Sequence, residues 1–377
     1  MRVTTFYGES PEEILTNIER SPISSPTLGI IFSSVSLGIP ELAERLERCR
    51  FPIIGCSSAG EILNGGGTNP LSELTAVGCL IDLNPDSFKT RIFERMEKTP
   101  SSLGEKIGRW GSDQFKDPVF FILISGLTND GEAVIKGIEQ VFSSPPQIFG
   151  GVAADDGKFE ETFVFSNNCI SSDGVAAIVF DGSVFNFFNL ITSGWRGVGA
   201  EKIITKSEGN IVYFIDNRPA IEFYTDYLNL KEEDIPHLSV DFPLIVRRVD
   251  DSVVIRTPLA VDKEHHGLVF AGSVPQGSAV TFSSSPGRET IQNSVCDINQ
   301  CSDQVKDADL VLLISCMARY QATGGFVIDE INAAIDIGPA PLVGFFSYGE
   351  IGNNELGRCE FNNETFSLVA ITEKRTS

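Results

Sequence analysis

Residues able to do chemistry gather in a short pattern that the chain uses twice. Pro52-Ile-Ile-Gly-Cys-Ser-Ser-Ala-Gly-Glu-Ile62 returns as Pro341-Leu-Val-Gly-Phe-Phe-Ser-Tyr-Gly-Glu-Ile351. Pro, Gly, Ser, Gly, Glu and Ile coincide. The pattern sets a thiol and hydroxyls (Cys56, Ser57, Ser58, Ser347) beside carboxylates (Glu61, Glu350). A third run, Ser315-Cys-Met-Ala-Arg319, adds Cys316 and the guanidinium of Arg319. Such residues suit either nucleophilic attack or recognition of a small polar molecule. Attack needs a base within reach of the nucleophile. The chain has 3 His, namely His237, His265 and His266, and the last two lie in a polar turn segment. A nucleophile elbow requires G-x-S-x-G, and Gly344-Phe-Phe-Ser347 is one residue too long. A lone Cys after a strand is ordinarily a small buried hydrophobe. Binding is therefore the reading these residues favour. An enzyme using Cys56 or Cys316, of hydrolase or transferase type, is the alternative. An interaction scaffold without ligand is the third.

As a binding site, the candidate set is Gly55, Cys56, Ser57, Ser58, Glu61, Cys316, Arg319, Ser347, Tyr348 and Glu350. A zwitterion such as an amino acid would offer its ammonium group to Glu61 or Glu350. Its carboxylate would go to Arg319, because a guanidinium matches a carboxylate in two parallel hydrogen bonds. Backbone N–H groups around Ser57-Ser58 would support the anionic end. The competing expectation is that Arg319 and Glu350 pair with each other. No cofactor or metal is expected. Gly65-Gly66-Gly67 lacks the Lys-Ser/Thr of a P-loop. Gly194-x-x-Gly197-x-Gly199 has the wrong order for a dinucleotide site. Cys296, Cys301 and Cys316 are too loosely spaced, and too far from any His, for zinc.

Each copy must be placed by a strand that runs into Gly55 or Gly344 and then turns. Ser58-x-x-Glu61 and Ser347-x-x-Glu350 fit a helix capping box. However, Leu63-Asn-Gly-Gly-Gly67 and Gly352-Asn-Asn354 follow, and Gly and Asn are poor helix formers. The pattern is thus read as a turn facing a ligand. Ile122-Leu-Ile-Ser125 precedes Ile148-Phe-Gly-Gly151, and Leu312-Leu-Ile-Ser315 precedes Leu342-Val-Gly344, each with a helix between. The chain reads as two pseudo-repeated halves, residues 1–209 and 210–377, with the site in a cleft between them. Pro146-Gln-Ile-Phe-Gly-Gly-Val-Ala-Ala-Asp155 is a weaker third relative.

The fold class is mixed α/β, α+β-like, with mixed sheets, antiparallel hairpins and flanking helices. Apolar periodicity predicts helices over 12–20, 39–48 and 328–337. Pro118-Val-Phe-Phe-Ile-Leu-Ile124 is a continuous apolar run and should be a central strand. Asp181-Gly182 between apolar runs predicts a hairpin. Asp329-Glu330 should be solvated.

The chain has 377 residues, 42% hydrophobic and 21% charged, with net charge -22. That charge repels phosphates and anionic lipid, which argues against nucleic acid and membrane as partners. No apolar run approaches the roughly 18 residues that span a bilayer. The N-terminus lacks a signal-peptide core. A cytoplasmic protein with its 8 Cys reduced is expected.

These motifs resemble the FIST (F-box and intracellular signal transduction) family. Gly55-Cys-Ser-Ser-Ala-Gly-Glu-Ile62, Gly150-Gly-Val-Ala-Ala-Asp155 and Gly194-Trp-Arg-Gly-Val-Gly199 are similar to its N-terminal part. Asp216-Asn-Arg-Pro-Ala220, Ser315-Cys-Met-Ala-Arg319, Gly344 to Ile351 and Phe361-Asn-Asn-Glu-Thr365 are similar to its C-terminal part. Ser58 and Phe346 stand where the family leads one to expect Thr and Tyr, Asn362 where it has His, and Ser125 where it has Asp. The resemblance implies a sensory domain that binds small molecules such as amino acids. Its output would pass through a signalling partner of kinase or chemoreceptor type.

Overall fold

The structure, a computed structural model, describes residues 1–64, 69–95, 99–127, 129–235, 239–354 and 357–375. The Gly65–Gly67 run and His237 lie outside the described residues. One unit, strand–helix–strand–helix–strand followed by three further strands, occurs three times. The first module is β1 (Arg2–Gly8), α1 (Pro11–Glu19), β2 (Leu28–Ser34), α2 (Ile39–Leu46), β3 (Ile53–Ser58), β4 (Glu61–Leu63), β5 (Leu71–Ser72) and β6 (Ala76–Asp82). The second is β7 (Phe88–Glu94), α3 (Pro100–Gln114), β8 (Pro118–Ile124), α4 (Gly131–Glu139), β9 (Ile148–Val152), β10 (Val164–Ser166), β11 (Cys169–Ser171) and β12 (Gly174–Asp181). The third opens with β13 (Phe185–Thr192). It is then interrupted by an insert made of β14 (Gly197–Glu208), β15 (Ile211–Ile215), β16 (Arg218–Pro219), α5 (Ala220–Leu228), β17 (Leu244–Arg247), β18 (Val253–Arg256), β19 (Pro258–Asp262), β20 (Gly267–Phe270) and β21 (Ala279–Ser283). It resumes with α6 (Arg288–Gln300), α7 (Ser302–Val305), β22 (Leu310–Cys316), α8 (Met317–Thr323), α9 (Val327–Asp336), β23 (Leu342–Ser347), β24 (Glu350–Asn353), β25 (Cys359–Asn362) and β26 (Phe366–Glu373).

The three modules build the same sheet. Strand orders are β1-β6-β2-β3, β7-β12-β8-β9 and β13-β26-β22-β23, with only the last pair of each parallel. Each sheet is then extended by a hairpin from another module. β10–β11 of the second adds to β3, β24–β25 of the third adds to β9, and β4–β5 of the first adds to β23. The exchange is cyclic and gives the molecule an approximate threefold axis. The fold is therefore mixed α/β with two related halves, and the repeat inside them is threefold. The weak relative at Pro146–Asp155 is the signature of the second module.

Alternation along the strands sets the layers. Ile30 and Phe32 of β2 point into one central core with Phe121, Phe149, Leu312 and Phe345, while Ile31 points out toward α1 and α2. The Phe32 and Phe345 rings stack with centroids 4.4 Å apart, joining the first and third sheets. Helices cover the outer face of each sheet. Ser10 caps α1 by accepting from Glu13 N, with Pro11 in the first turn. β8 is wholly buried between β9 and β12, as its apolar run predicts.

The insert is an antiparallel sheet of order β18-β17-β21-β14-β15-β20-β19, with β16 on β15. Its first and last strands follow each other in the chain, so it bends back at Thr257 around its own core of Tyr224, Phe270 and Phe282. Position 209/210 is the turn of its β14–β15 hairpin.

Two local expectations are corrected. The Asp181-Gly182 turn exists, with Val184 N donating to Asp181 O at 2.9 Å. The strands it joins do not pair, because β12 lies between β7 and β8 while β13 pairs with β26. The turn carries the chain from one module to the next. Gly55 and Gly344 are not strand ends, for β3 and β23 run on to Ser58 and Ser347.

Candidate functional site

The three signature turns meet at the threefold axis and bond to each other in a closed ring. Ala59 N donates to Phe346 O, Tyr348 N to Val152 O, and Ala154 N to Ser57 O. Donor and acceptor hold the same positions in every copy of the pattern. Gly55, Gly150 and Gly344 sit opposite Ile31, Ile122 and Leu313 of the parallel neighbour. A Cβ at any of the three would overlap that neighbour's carbonyl oxygen. The small residues thus serve close approach of protein backbone. The two turns do not face each other across an open cleft, since Ala59 and Phe346 are directly bonded.

The two signature glutamates are locked in matching networks. Ser58 Oγ donates to Glu61 Oε1 at 2.6 Å, and Thr75 donates to Oε2 through Oγ1 at 2.7 Å and N at 3.1 Å. Ser347 Oγ donates to Glu350 Oε1 at 2.6 Å, and Thr365 donates to Oε2 through Oγ1 at 2.8 Å and N at 3.3 Å. Ser-x-x-Glu is therefore a hydrogen-bonded latch between strands, with no helix to cap. Burial raises both carboxyls to about 7, and the hydroxyl and amide donors recover only part of the shift. In the second module Asp155 does the corresponding work. It accepts from Phe159 N at 2.9 Å, Glu160 N at 2.6 Å, Glu161 N at 2.9 Å and the Tyr348 hydroxyl. The Tyr348 ring stacks on Phe159 at 4.4 Å.

These latches set a pH dependence. An unfolded Glu titrates near 4.5, whereas Glu61 and Glu350 hold their protons to about 7. Between these values the unfolded chain binds fewer protons than the folded one, so stability falls as pH rises. The urea midpoint should drop from about pH 5 to about pH 8, and Glu61→Gln with Glu350→Gln should flatten that slope. A midpoint independent of pH over this window would contradict the burial of these carboxyls as proton-holding groups.

Arg319 takes a partner other than the expected one. It is fully buried, and its Nε donates to Glu330 Oε2 at 3.0 Å while Nη2 bonds Glu330 Oε1. Nη2 also reaches Ser294 Oγ at 3.1 Å, and Nη1 reaches the carbonyls of Ser193 and Glu364. Glu330 is buried in α9, where solvation was expected. Cys56 and Cys316 are both buried, and burial pushes both thiols well above their usual range. Neither is a thiolate near neutral pH. All 8 Cys are free.

A second cluster lies at the seam where the insert meets the second and third modules. Arg256 is fully buried, with Nε on Ser273 O at 3.1 Å, Nη1 on Phe361 O at 3.0 Å, and Glu132 Oε2 3.7 Å from Nη2. Arg248 bridges Glu132 and Glu360 at 3.4 and 2.5 Å. Burial works against the Glu132 charge. Hydrogen bonds from Lys136 and Ser273 and the two guanidinium groups overcome it, holding the carboxyl at about 2. On the other side of the same crossing, Thr257 Oγ1 donates to Glu364 Oε1 at 3.1 Å. Glu364 is 0% exposed, and its Oε2 has no hydrogen-bond partner among the described residues. Burial raises this carboxyl most, Glu350 and Asp241 add to the rise, and Thr257 and Arg319 oppose it, leaving it at about 8. Cys316 senses the Glu350 and Glu364 charges. Of the candidate set, the fold brings Cys316, Arg319, Ser347 and Glu350 to this seam. Gly55, Cys56, Ser57, Ser58 and Glu61 belong to the first module's turn, and Tyr348 to the ring.

Comparison with known families agrees with these motifs. The FIST N domain matches residues 27–218 and the FIST C domain residues 220–353. The chain belongs to the FIST family. FIST domains are associated with signal transduction. An uncharacterized protein of Methanocaldococcus jannaschii is 22% identical over 344 residues, covering 82% of this chain and 63% of that protein. The chain thus spans less than two thirds of the length of this curated relative. The N-domain match runs from just before β2 to β16, and the C-domain match from α5 to β24. The seam at Glu364 joins insert to core just beyond the matched C-domain residues.

Glu364 is the residue that reading the sequence missed. Thr75 and Thr365 close the two latches, and the residue before each is left-handed, Leu74 at φ 59° and Glu364 at φ 56°. Aligning the two Thr residues as well as the two Glu residues would have exposed the contrast. Leu74 is 58% exposed, whereas Glu364 lies beneath the insert.

Proposed function

We propose that this FIST protein is a cytoplasmic sensory component of signal transduction that binds a small polar ligand through its ammonium group. Amino acids belong to that class. The ligand sits at the seam between the insert and the third module. The observation that carries this reading is Glu364, fully buried with an unpartnered Oε2 and with Glu350 and Asp241 near it. Buried polar groups are almost always paired. A carboxyl oxygen left open among further carboxyls attracts a hydrogen-bond-donating cation. Glu61 and Glu350 have both oxygens occupied by serine and threonine donors, so the ammonium role passes to Glu364. Insert and core both touch Glu364, so occupancy alters how they pack, and a signalling partner of kinase or chemoreceptor type would read that change.

A melting-temperature screen against amino acids and simple amines tests the reading. A ligand at about 100 times its dissociation constant stabilises by about 2.7 kcal/mol, which such a screen resolves. At least one compound should raise the melting temperature, and Glu364→Gln should abolish the rise while the unliganded variant melts near the native protein. No shift from any compound, or an equal shift in the variant, would overturn the proposal.

A further inference from the structure

The surroundings of Glu364 carry one step more, which rests on the ligand reading above. Described groups of both the insert and the third module bear on the charge of this carboxyl. Thr257, at the β18–β19 corner, donates one hydrogen bond. Asp241 of the insert and Glu350 of β24 oppose ionisation, and Arg319 of α8 supports it. Arg319 is already committed to Glu330, whose two oxygens it binds. Arg256 and Arg248 are engaged with Glu132 and Glu360 on the far side of the crossing. Among the described residues the seam therefore holds no unclaimed positive charge to balance an ionised Glu364. A buried carboxylate without a balancing charge is costly, so the group keeps its proton.

We infer that an ammonium ligand enters this seam only in exchange for the Glu364 proton, so that ligand and pH jointly set its occupancy. The exchange balances. Glu364 gives one proton to solvent, and its Oε2 accepts a hydrogen bond from the ligand N–H. The cation then stands where the carboxyl proton stood, and the net charge of the seam is unchanged. Affinity should rise about tenfold for each pH unit while Glu364 is protonated in the empty protein, and level off once it is not. The group titrates at about 8.

Methylammonium is the probe, titrated calorimetrically into the full chain in two buffers of different ionisation enthalpy. The expected result is release of about one proton near pH 6, falling toward none near pH 9, with roughly a fiftyfold gain in affinity from pH 6 to pH 8. Glu364→Gln should bind at least about tenfold more weakly and release no proton. The native pH series decides by itself if that variant folds poorly. Equal affinity at both pH values with no proton exchange would overturn the inference and leave the ligand reading standing. No heat and no melting shift at any pH would overturn both.

Discussion

Alanine at position 150 will prevent the protein from folding. Gly150 has φ +143°, and its Cα lies against the Ile122 carbonyl in the adjacent parallel strand. An added Cβ would overlap that oxygen and the Ile122 carbonyl carbon. The obstacle is backbone at the centre of a sheet, so no side-chain rotation relieves it. Gly344→Ala meets the Leu313 backbone in the same way in the third module. Each change should cost more than about 4 kcal/mol, the range reached only by core disruption or strain. The measurement is the urea midpoint, or the soluble yield where folding is lost. Gly325→Ala is the control, since a Cβ there meets nothing within 4 Å, and it should stay within about 0.5 kcal/mol of the native protein. Native-like stability in Gly150→Ala would refute the role given to the signature glycines.

Arg319→Met comes second in expected effect. The guanidinium ties together β13's end at Ser193, Ser294 of α6, Glu330 of α9 and the Glu364 turn. Removing it leaves a fully buried Glu330 carboxylate without its cation. Breaking a buried pair from one side costs about 3–5 kcal/mol, because the remaining charge is uncompensated. Arg319→Met with Glu330→Leu should recover much of the loss, since replacing both partners by apolar groups is often near neutral. A single variant with unchanged stability would show that Arg319 is not a structural tie, and would return it to ligand binding.

Much of this architecture was legible in the residues, and the limits have physical causes. The doubled Pro-x-x-Gly pattern marks real structural equivalence, because only Gly tolerates the carbonyl of the neighbouring strand at that point. The same requirement places Gly150 in the third copy. There the signature is obscured by residues 156–162, which wrap around Asp155 before β10 begins. The function of Ser-x-x-Glu was not legible. The pattern specifies a serine–carboxyl contact, and only tertiary structure supplies the threonine that completes it. Asp181-Gly182 misled because a turn-forming dipeptide specifies a local bend and says nothing about which sheet each flanking strand joins. Arg319 stands out in the sequence as a special cation, but its protein partner is Glu330 and not the competing expectation Glu350, since Glu330 lies on a helix whose burial depends on α6 packing over it.

The cyclic exchange of hairpins has a consequence for synthesis. β4 pairs through Ile62 with Gly344, so β4 waits for a strand synthesised long after it. The second module's β9 likewise waits for β24. A ribosome-bound chain therefore carries two unsatisfied strand edges until β23 and β24 emerge, and such edges are templates for wrong pairing. Truncation before β23 leaves the first module's hairpin without its sheet, so no prefix of this chain is a finished domain. The threefold ring that ties the three modules together also makes their folding wait for β23 and β24.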